Sequence, residues 1–533
     1  MVSIIIPIYN RELFLEKCLN SVQRQTFADF ECILVDNNST DHSVEICQSF
    51  LSDDRFKLIH CQEQGVSHTR NKGIEYASGD WIMFIDSDDY IADNFVEMLY
   101  KTMLDHPGYK CYTCESITLQ HTNISIWNDL PEGERTKDDV TNFNVWKRWA
   151  TVWNALWAKE VFDHIKFNTN VKLGEDELVD IEYWMRYGKL YHIKYRGYFH
   201  YVNTSSISVD QNNYKHSTML LLCLVENLIH KYNNLTKEVE NAIRYIYNIK
   251  YSDKYPGIDY VVPYTNATKD KIKALMQFYN YEGMVDDDEE LAKRYNTEDT
   301  IFNMSIRSVA RNLPFIRLIH LIVEDETHIP DWIDIENVHI VYHKDFMEDY
   351  PSYNPCCIEY CLGNIPFLSE KFLYANSDYI ATKELSADDF FDEDKTRNRF
   401  KTAAQSDKQC DIIFNNSYHL IFDEGTPISP IKHFFTPMVT KRVKEVQELY
   451  KDELVYTKFR SSANYNQYIY PLYDLKIGAI SESTLICYTT EGEFNIQKWQ
   501  RADTVCLENI DDTNPLITVF GHFFRFEKCK YEK

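Results

Sequence analysis

The chain has 533 residues and 44% hydrophobic residues, and this length predicts two packed domains rather than one. Its formal net charge of −26 argues against a nucleic-acid partner, because phosphate backbones bind basic surfaces. No apolar run reaches the roughly 18–20 residues that a membrane-spanning helix needs, and the first residues lack a signal-peptide pattern. We therefore expect a cytoplasmic protein.

Strand and helix patterns alternate along the first 90 residues. The apolar stretches SIIIPIY, FECILVD, FKLIHC and WIMFID predict strands, with helices between them at about residues 13–25, 43–51 and 67–79. This alternation predicts a mostly parallel sheet that is covered on both faces. Ligands of such sheets bind at the carboxyl ends of the strands, which is where Tyr9, Asp36 and Asp86 lie.

The pattern changes after residue 146. Aromatic-rich segments extend to His200, and residues from about Tyr214 to Tyr251 have helical spacing. Strands resume at GIDYVVPYTN and LIHLIVED, and KFLYANSDYI repeats the strand-then-acid pattern of WIMFIDSDD in a weaker form. We therefore predict an α/β domain at 1–213, a helical connector at 214–256 and a second α/β domain at 257–533.

The cysteines are scattered along the sequence. There are 14 of them, with Cys356 and Cys357 adjacent. In a cytoplasmic protein this distribution favours reduced, mostly buried thiols over a disulfide framework or a zinc site.

Asp36 ends an apolar strand and opens the polar turn DNNSTD. A carboxylate at this place can accept hydrogen bonds from the imide of a uracil or from ribose hydroxyls. It can equally be the N-cap of the next helix, since Asp, Asn and Ser are all good caps. The residues alone leave both alternatives open.

Three acids follow the strand WIMFI, namely Asp86, Asp88 and Asp89. Close carboxylates repel one another unless a cation offsets their charge. Asp86 and Asp88 form a DxD pair that can bind Mn²⁺ or Mg²⁺, and the metal can bridge a diphosphate. An acidic surface turn is the alternative.

Two further places add charge suited to catalysis. Arg70 is a cation that can pair with a phosphate. The segment Gly174-Glu175-Asp176 offers a carboxylate that can deprotonate a sugar hydroxyl as general base, although both acids can also be a solvated helix start.

Taken together, these segments resemble the family 2 glycosyltransferases, which have the GT-A fold. The resemblance covers residues 1 to about 210 and rests on SIIIPIYN, VDNNSTD, GVSHTRNKGIEYASGDWIMFIDSDD, WNALWAKEVF, LGED and FHYVNTSSIS, in that order. It implies transfer of a sugar from a UDP-sugar with inversion at the anomeric carbon.

The same resemblance implies roles for individual residues. It places Pro7, Tyr9 and Asp36 at the nucleoside, and Arg70 at the base or a phosphate. Asp86 and Asp88 would bind the metal and the diphosphate, and His200 would be a further metal ligand. Asp176 would be the catalytic base, and Glu175 would help to bind substrate.

The second half resembles Stealth-type sugar-phosphate transferases. These enzymes move a sugar-1-phosphate from a UDP-sugar to a glycan hydroxyl. The matching segments, in order over residues 258 to about 525, are IDYVVPYTNATKD, NMSIRSVARNLPFIRLIHLIVEDETHIPDWID, VHIVYHKDFM, YNPCCIEYCLGNIPFLSEKFLYANSDYI, IKHFFTPMVTKRVKEVQELY, VYTKFRSS and ADTVCLEN.

Several acids that this family has are missing from the chain. Their positions are occupied by Asn266, Ile301, Ser377, Asn464 and Asn509. Amides and Ser are poorer ligands than carboxylates for a metal beside a diphosphate. The residues that match are Arg307, Asn354, Glu359, Asn376, Asp378, His433 and Arg460. Of these, His433 and Arg460 are predicted to be catalytic: His433 could transfer a proton, and Arg460, like Arg307, could bind phosphate. The alternatives are an Arg307–Glu359 ion pair that merely stabilises the core and a His433 that is an ordinary interior histidine.

The leading hypothesis is a bifunctional glycan-assembly enzyme of bacterial capsule, cell-surface polysaccharide or glycoconjugate synthesis. Its partners would be a UDP-sugar and a glycan or lipid-linked glycan acceptor, which would bring it to the inner membrane face as a peripheral protein. The alternative is one active glycosyltransferase whose second domain is degenerate and serves in acceptor binding or as a scaffold.

Overall fold

The structure is a computed structural model with two compact units, residues 1–249 and 250–533. Most of the predicted connector at 214–256 therefore falls within the first unit. The structure describes residues 1–120, 123–136, 139, 151–202, 211–232, 235–248, 257–265, 299–348, 350, 352, 354–398, 409–422, 435–454, 465–489, 498, 501–507 and 529–533.

The first unit contains a sheet to which the described residues contribute ten strands. Its strands are β1 Val2–Ile8, β2 Phe30–Asp36, β3 Phe56–His60, β4 Trp81–Phe84, β5 Tyr90–Ile91, β6 Cys111–Gln120, β7 Asn123–Trp127, β8 Gly133–Thr136, β9 Ala155–Ala158 and β10 Lys189–Tyr201. The strand order is β3-β2-β1-β4-β9-β6-β10-β5, with β7 on β6 and β8 on β10. The first four strands are parallel, as the βα alternation predicts. All seven residues of β1 are buried, which explains its uninterrupted apolar pattern.

Helices connect these strands and cover both faces of the sheet. They are α1 Leu15–Gln23, α2 Ser43–Phe50, α3 Val66–Tyr76, α4 Phe95–Asp105, α5 Glu175–Tyr187, α6 Gln211–Lys231 and α7 Lys237–Tyr247, with a 3₁₀ turn at Lys159–Asp163. In α1 the buried residues Leu15, Cys18, Leu19 and Val22 follow the helical period and pack on the sheet. The predicted α/β fold is confirmed.

The second unit has a sheet of its own. Its described strands are β11 Ile258–Pro263, β12 Ile316–Val323, β13 His339–Tyr342, β14 Lys371–Tyr374 and β18 Thr436–Val439. They lie in the order β13-β12-β11-β14-β18, and the pairs are parallel except for β14 with β18, which is antiparallel. The short strands β15 Tyr379–Ala381, β16 Phe391–Asp392, β17 Lys395–Asn398, β19 Ile480–Glu482, β20 Cys487–Thr489 and β21 Thr504–Cys506 form two small sheets.

Helices also flank the second sheet. They are α8 Asp299–Asn312, α9 His343–Phe346, α10 Pro355–Tyr360, α11 Gln409–Ile421, α12 Thr440–Leu449 and α13 Ile469–Lys476, with 3₁₀ turns at Glu326–His328, Leu362–Asn364 and Ala387–Asp389. Two apolar clusters form, with Tyr260 and Val262 of β11 in one and Val261 in the other. Successive residues of a strand point to opposite faces, so these clusters lie on the two sides of the sheet.

A charged network is buried at the amino ends of β11 and β12. The Asp259 carboxylate accepts hydrogen bonds from Arg317 Nε and Nη2 at 2.8 and 2.7 Å, and it lies 2.9 Å from His320 Nε2. The Nδ1 atoms of His320 and His339 are 2.7 Å apart. Burial would raise the pKa of Asp259, but Arg317 and His320 hold it well below its usual value. Burial lowers the pKa of His320 to about 4.

The described cysteines are free thiols, and most of them are buried. Cys111 and Cys114 of β6 form a CxxC spacing that the prediction from scattered cysteines did not take into account. Because residues three apart in a strand point to opposite faces, this pair does not form a shared metal or disulfide site.

No helix within the described ranges combines the length and apolarity that crossing a bilayer requires.

Candidate active site

The carboxyl edge of the first sheet brings three predicted residues together. Ile8 at the end of β1 is in register with Asp36 at the end of β2, and Asn37 donates a backbone hydrogen bond to Ile8 O at 2.8 Å. Tyr9 follows directly and is 45% exposed, while Asp86 lies two residues beyond β4. Pro7 belongs to β1 and is buried.

Asp36 is 3% exposed, and its two carboxylate oxygens have different partners. One oxygen accepts from Ser39 N at 3.2 Å, and the other lies 3.1 Å from His60 Nδ1. The next helix begins at Ser43 with His42 at its N-cap position, so the alternative that Asp36 caps this helix is wrong. A buried carboxylate beside an exposed tyrosine suits recognition of a nucleoside, as a carboxylate has further acceptor capacity.

Polar side chains join the loops that follow β1 and β2. Asn10, at φ +51°, accepts from Thr40 N at 2.8 Å, and its own backbone N–H donates to Ser39 Oγ at 3.1 Å. Arg11 N donates to Ser43 Oγ at 2.8 Å. These bonds hold the rim beside Asp36 in one conformation.

Each of the three acids after β4 has a different cationic or imidazole partner. These partners offset the repulsion expected between closely spaced carboxylates. Asp86 Oδ1 accepts from Arg70 at 2.9 Å, Asp88 lies 3.4 Å from Arg11 Nε, and Asp89 lies 3.2 Å from His200 Nδ1. Burial and then the charge of Asp86 raise the pKa of Asp88. Compensated in this way, the acidic turn is compact and partly buried rather than a solvated surface turn.

Arg70 of α3 joins two acidic segments of the chain. Its guanidinium donates to Asp86 Oδ1 at 2.9 Å and to Glu175 Oε1 at 2.7 Å, and the residue is 3% exposed. Burial would lower the pKa of Arg70, but Asp86 and then Glu175 hold it above its usual value. In this structure the predicted phosphate cation is a bridge between carboxylates.

Asp176 lies in the first turn of α5, next to the buried Glu175. Burial and then the charge of Glu175 raise the pKa of the Asp176 carboxyl well above its usual value. Its Oδ1 accepts from Glu177 N at 2.9 Å. A solvated helix start is wrong for Glu175, which is 7% exposed. A carboxylate with a raised pKa is a stronger base, as proton abstraction requires.

Gly174 sets the position of this acidic turn. It has φ +86°, a left-handed conformation that favours glycine, and a Cβ at this position would approach Leu221 Cδ1 to 2.7 Å. Leu221 belongs to α6, so close packing of α6 on the start of α5 determines where Asp176 lies.

His200 lies near the end of β10 and stacks on Trp153, with ring centroids 5.3 Å apart. Its Nδ1 faces Asp89, which leaves Nε2 as the nitrogen that can bind a metal. Two carboxylates and one imidazole are a donor set that Mn²⁺ and Mg²⁺ accept, with diphosphate oxygens and water as further ligands. Asp86, Asp88 and His200 therefore fit a divalent metal by the chemistry of their donor atoms, although these atoms do not all lie within 4.8 Å of one another in this structure.

Sequence reasoning gave no role to Asp89 of the acidic turn, nor to Arg11 and Tyr198, which contact that turn. Arg11 lies just beyond a strand end, a position that could have marked it. Asp89 and Tyr198 are hydrogen-bonded to each other across 109 residues of sequence, so no local pattern indicated either of them.

In the second unit two of the predicted substrate-binding residues, Asn354 and Glu359, are bound to other parts of the protein. Asn354 is fully buried and caps α10 by accepting from Cys356 N at 3.1 Å. Glu359 is 4% exposed and accepts from Gln467 N at 2.7 Å and from Tyr374 Oη at 3.3 Å. Both side chains therefore hold the core around α10.

The expected Arg307–Glu359 ion pair is wrong. Arg307 pairs with Glu532, with Nε 2.8 Å from Oε1 and Nη2 2.6 Å from Oε2. The two hydrogen bonds are bidentate, an arrangement that arginine and carboxylate side chains favour. Arg307 and Glu532 are 225 residues apart in the sequence, so no local pattern indicates this pair.

Asn376, Ser377 and Asp378 follow β14 at the carboxyl edge of the second sheet. Asp378 Oδ2 accepts from Cys506 Sγ at 3.4 Å. Ile301 is buried in α8, as an apolar residue should be. His433, Arg460, Asn266, Asn464 and Asn509 lie outside the described residues.

Known proteins share both segments. Residues 3–142 match the family "Glycosyl transferase family 2", and residues 294–399 match "Stealth protein CR2, conserved region 2". The first unit therefore contains a family 2 glycosyltransferase domain. Both predicted resemblances are confirmed, over shorter ranges than residues 1–210 and 258–525.

Relatives agree with this domain. Glycosyltransferase GlyA of Streptococcus pneumoniae is 29% identical over 226 residues, which cover 39% of this chain and 31% of GlyA. EpsJ of Bacillus subtilis, an uncharacterized glycosyltransferase, is 33% identical over 33% of this chain and 54% of its own length. The minor teichoic acid biosynthesis protein GgaB of Bacillus subtilis is 26% identical over 46% of this chain and 28% of GgaB. The chain thus spans about a third to a half of the length of these relatives.

Among solved structures, S. aureus TarS 1–349 in complex with UDP-GlcNAc matches with a TM-score of 0.38 and 18% identity. The match covers 46% of this chain and 70% of that one. A TM-score of this size carries no weight for function.

Proposed function

We propose that the first unit is an inverting, metal-dependent glycosyltransferase that uses a UDP-sugar donor. One observation carries the proposal: Arg70 joins Asp86 of the acidic turn to Glu175, the neighbour of Asp176. One buried cation thus contacts an acid of the proposed metal pair and the residue that precedes the proposed base. The family 2 match supports the reaction class.

In the proposed reaction an acceptor hydroxyl oxygen bonds to the anomeric carbon while the bond from that carbon to the diphosphate breaks. UDP leaves with the electron pair, and Asp176 takes the proton of the hydroxyl. Attack from the face opposite the leaving group inverts the anomeric carbon. Pro7, Tyr9 and Asp36 would bind the nucleoside.

Mn²⁺ or Mg²⁺ would be held by Asp86, Asp88 and His200. A bound ion of this class stabilises the negative charge that develops on a leaving diphosphate. Arg70 contacts both Asp86 and Glu175, and its positive charge offsets part of the repulsion between these two acids.

The experiment is UDP release from a panel of UDP-sugars with added Mn²⁺ or Mg²⁺. Asp88→Asn should lower UDP release about 100-fold or more, because an amide is a poorer metal ligand. Asp93→Asn is the matched control, since Asp93 is an exposed acid paired only at the surface with Arg24 at 3.3 Å. Equal turnover by Asp88→Asn and the unaltered chain would contradict the proposal.

For the second unit we propose sugar-1-phosphate transfer from a UDP-sugar. The Stealth region and the presence of Asn376 and Asp378 at the carboxyl edge of the second sheet support it. The oxygen of an acceptor hydroxyl would bond to the phosphorus that carries the sugar, and His433 would take the proton of that hydroxyl. The bond between this phosphorus and the oxygen that bridges the two phosphates would break, and UMP would leave with the electron pair. His433 and Arg460 are the proposed catalytic residues.

Because glycosyl transfer leaves UDP and phosphotransfer leaves UMP, both products can be followed in one assay. Asp88→Asn in the full chain should stop UDP release and spare UMP release. If UDP but no UMP forms with any donor, the second unit is the degenerate, acceptor-binding or scaffolding domain of the alternative hypothesis.

The proposed setting is cytoplasmic assembly of a bacterial capsule, cell-surface polysaccharide or glycoconjugate. A relative in Campylobacter jejuni is named GalNAc(5)-diNAcBac-PP-undecaprenol beta-1,3-glucosyltransferase and is 35% identical over 18% of this chain and 32% of its own length. Its name supports a lipid-linked glycan acceptor, which would hold this protein at the inner membrane face.

A further inference from the structure

Asp89 is the acid of the turn that the proposed reaction does not use, and it is 1% exposed. Three donors surround its carboxylate, and all three come from the end of β10. Tyr198 Oη donates at 2.8 Å, Tyr201 N donates at 2.8 Å, and His200 Nδ1 lies at 3.2 Å. A carboxylate buried in this way contacts protein rather than a ligand.

Tyr198 forms a second connection between the turn and the strand. Its hydroxyl accepts from Asp86 N at 3.1 Å while it donates to Asp89, and Asp89 N donates to Asp86 O at 3.0 Å. Tyr198 is fully buried and stacks on Trp153, which also stacks on His200. The acidic turn and the end of β10 therefore form one hydrogen-bonded unit.

The contact between Asp89 and His200 also selects the form of the imidazole. A carboxylate only accepts hydrogen bonds, so His200 donates from Nδ1–H, and the lone pair of a neutral ring is then on Nε2. Histidines that bind metals commonly donate their other ring N–H to a carboxylate, which fixes the tautomer and the ring orientation.

We propose that Asp89 is a positioning residue that sets the tautomer and place of His200 for a divalent metal held with Asp86 and Asp88. The inference rests on the proposed function, because that function makes Asp86, Asp88 and His200 the metal ligands. It adds a residue that acts through His200 and touches neither metal nor substrate.

The test is Mn²⁺ affinity of the full chain, measured by electron paramagnetic resonance without donor or acceptor. Asp89→Asn should weaken Mn²⁺ binding about 10–100-fold, because the amide can donate to Nδ1 and favour the tautomer whose Nε2 carries the proton. Asp93→Asn, the same change at an exposed acid, should leave the affinity unaltered.

A double-mutant cycle separates positioning from a general structural role. In a His200→Gln background, Asp89→Asn should have little further effect on Mn²⁺ affinity, because the group through which it acts is gone. An equal loss in both backgrounds, or an unaltered affinity in Asp89→Asn alone, would overturn the proposal.

Two further variants keep the outcomes distinct. If Asp89→Asn does not fold, Tyr198→Phe removes one donor to Asp89 and should weaken Mn²⁺ binding about fivefold, again only when His200 is present. A loss in both backgrounds, or none, would then overturn the proposal. If both Asp88→Asn and Asp89→Asn leave Mn²⁺ affinity unaltered, the metal site of the proposed function is wrong. If Asp88→Asn weakens Mn²⁺ binding and Asp89→Asn does not, only the positioning role of Asp89 is wrong.

Discussion

Each unit has a buried arginine that pairs with an acid beside parallel strands, but the two arginines lie at opposite ends of those strands. Arg70 contacts Asp86 beyond the carboxyl end of β4, where ligands of such sheets bind. Arg317 contacts Asp259 at the amino ends of β11 and β12. A buried pair of arginine and aspartate can therefore belong to a candidate site or to the core, and the end of the strands at which it lies separates the two roles.

The comparison extends to the residues at the carboxyl edges. In the first sheet these are Asp36, Asp86 and Asp88, with cationic or imidazole partners. In the second sheet they are Asn376, Ser377 and Asp378, which form a weaker donor set for a cation. Substitution of a site acid in the first unit should therefore mainly lower activity. Substitution of a buried ion-pair partner in the second unit should mainly lower the free energy of unfolding.

The largest expected effect is on activity in the first unit. Asp176→Asn should lower the kcat for UDP release about 10²–10⁴-fold, because the amide cannot take the acceptor proton. The affinity for the donor should stay within about twofold of that of the unaltered chain, because Asp176 is proposed to contact the acceptor and its substitution leaves the donor contacts intact. UDP binding by calorimetry beside the rate assay checks both, and lost donor binding would mean that the residue has another role.

The next effect is on the stability of the second unit. Asp259→Asn should lower the free energy of unfolding by about 3–5 kcal/mol, because Arg317 would lose its buried counter-charge. Urea unfolding measures the change, and Glu448→Gln is the control, since its pair with Lys451 is exposed. A loss below about 1 kcal/mol would show that the buried network contributes little.

A smaller effect is expected from pH. The pKa of His320 in the folded chain is about 4, below its ordinary value, so the unfolded chain binds the proton first as the pH falls. Stability from this group is complete above about pH 6.5 and should decrease by of the order of 1–3 kcal/mol toward pH 4. Urea unfolding of the chain and of His320→Gln at pH 7 and 5 checks the sign; the same decrease in both would exclude His320 as its source.

The smallest effect is expected at the surface of the first unit. Asp93→Asn should change the free energy of unfolding by less than about 1 kcal/mol, because the Arg24–Asp93 pair is exposed and 3.3 Å long. Thermal unfolding at low and high salt measures it, and a larger change would mean that Asp93 has a buried role.

Local patterns predicted four of the ten strands described in the first sheet. The apolar run FECILVD is β2 residue for residue, and the helix predicted at about 13–25 is α1 at Leu15–Gln23. Both patterns are local, since strand burial and helix periodicity show in consecutive residues. The predicted strand WIMFID ends as a strand at Phe84, because Asp86 and Asp89 turn the chain there.

The partners of charged side chains could not be predicted in this way. Arg70 reaches Glu175 across 105 residues, and Arg307 pairs with Glu532 rather than with Glu359. An ion pair depends on where two distant elements meet, and many acids of a chain with net charge −26 are equally good candidates by type.

By itself, the sequence determined the first four strands, the helices between them and the acids at their carboxyl edge, because burial and period act over neighbouring residues. Only the tertiary structure decided that Arg70 bridges two acids, that Asp89 is enclosed by the end of β10, and that Arg307 belongs to Glu532. These contacts arise when packing of apolar faces brings remote segments together, and that packing leaves no local trace in the sequence.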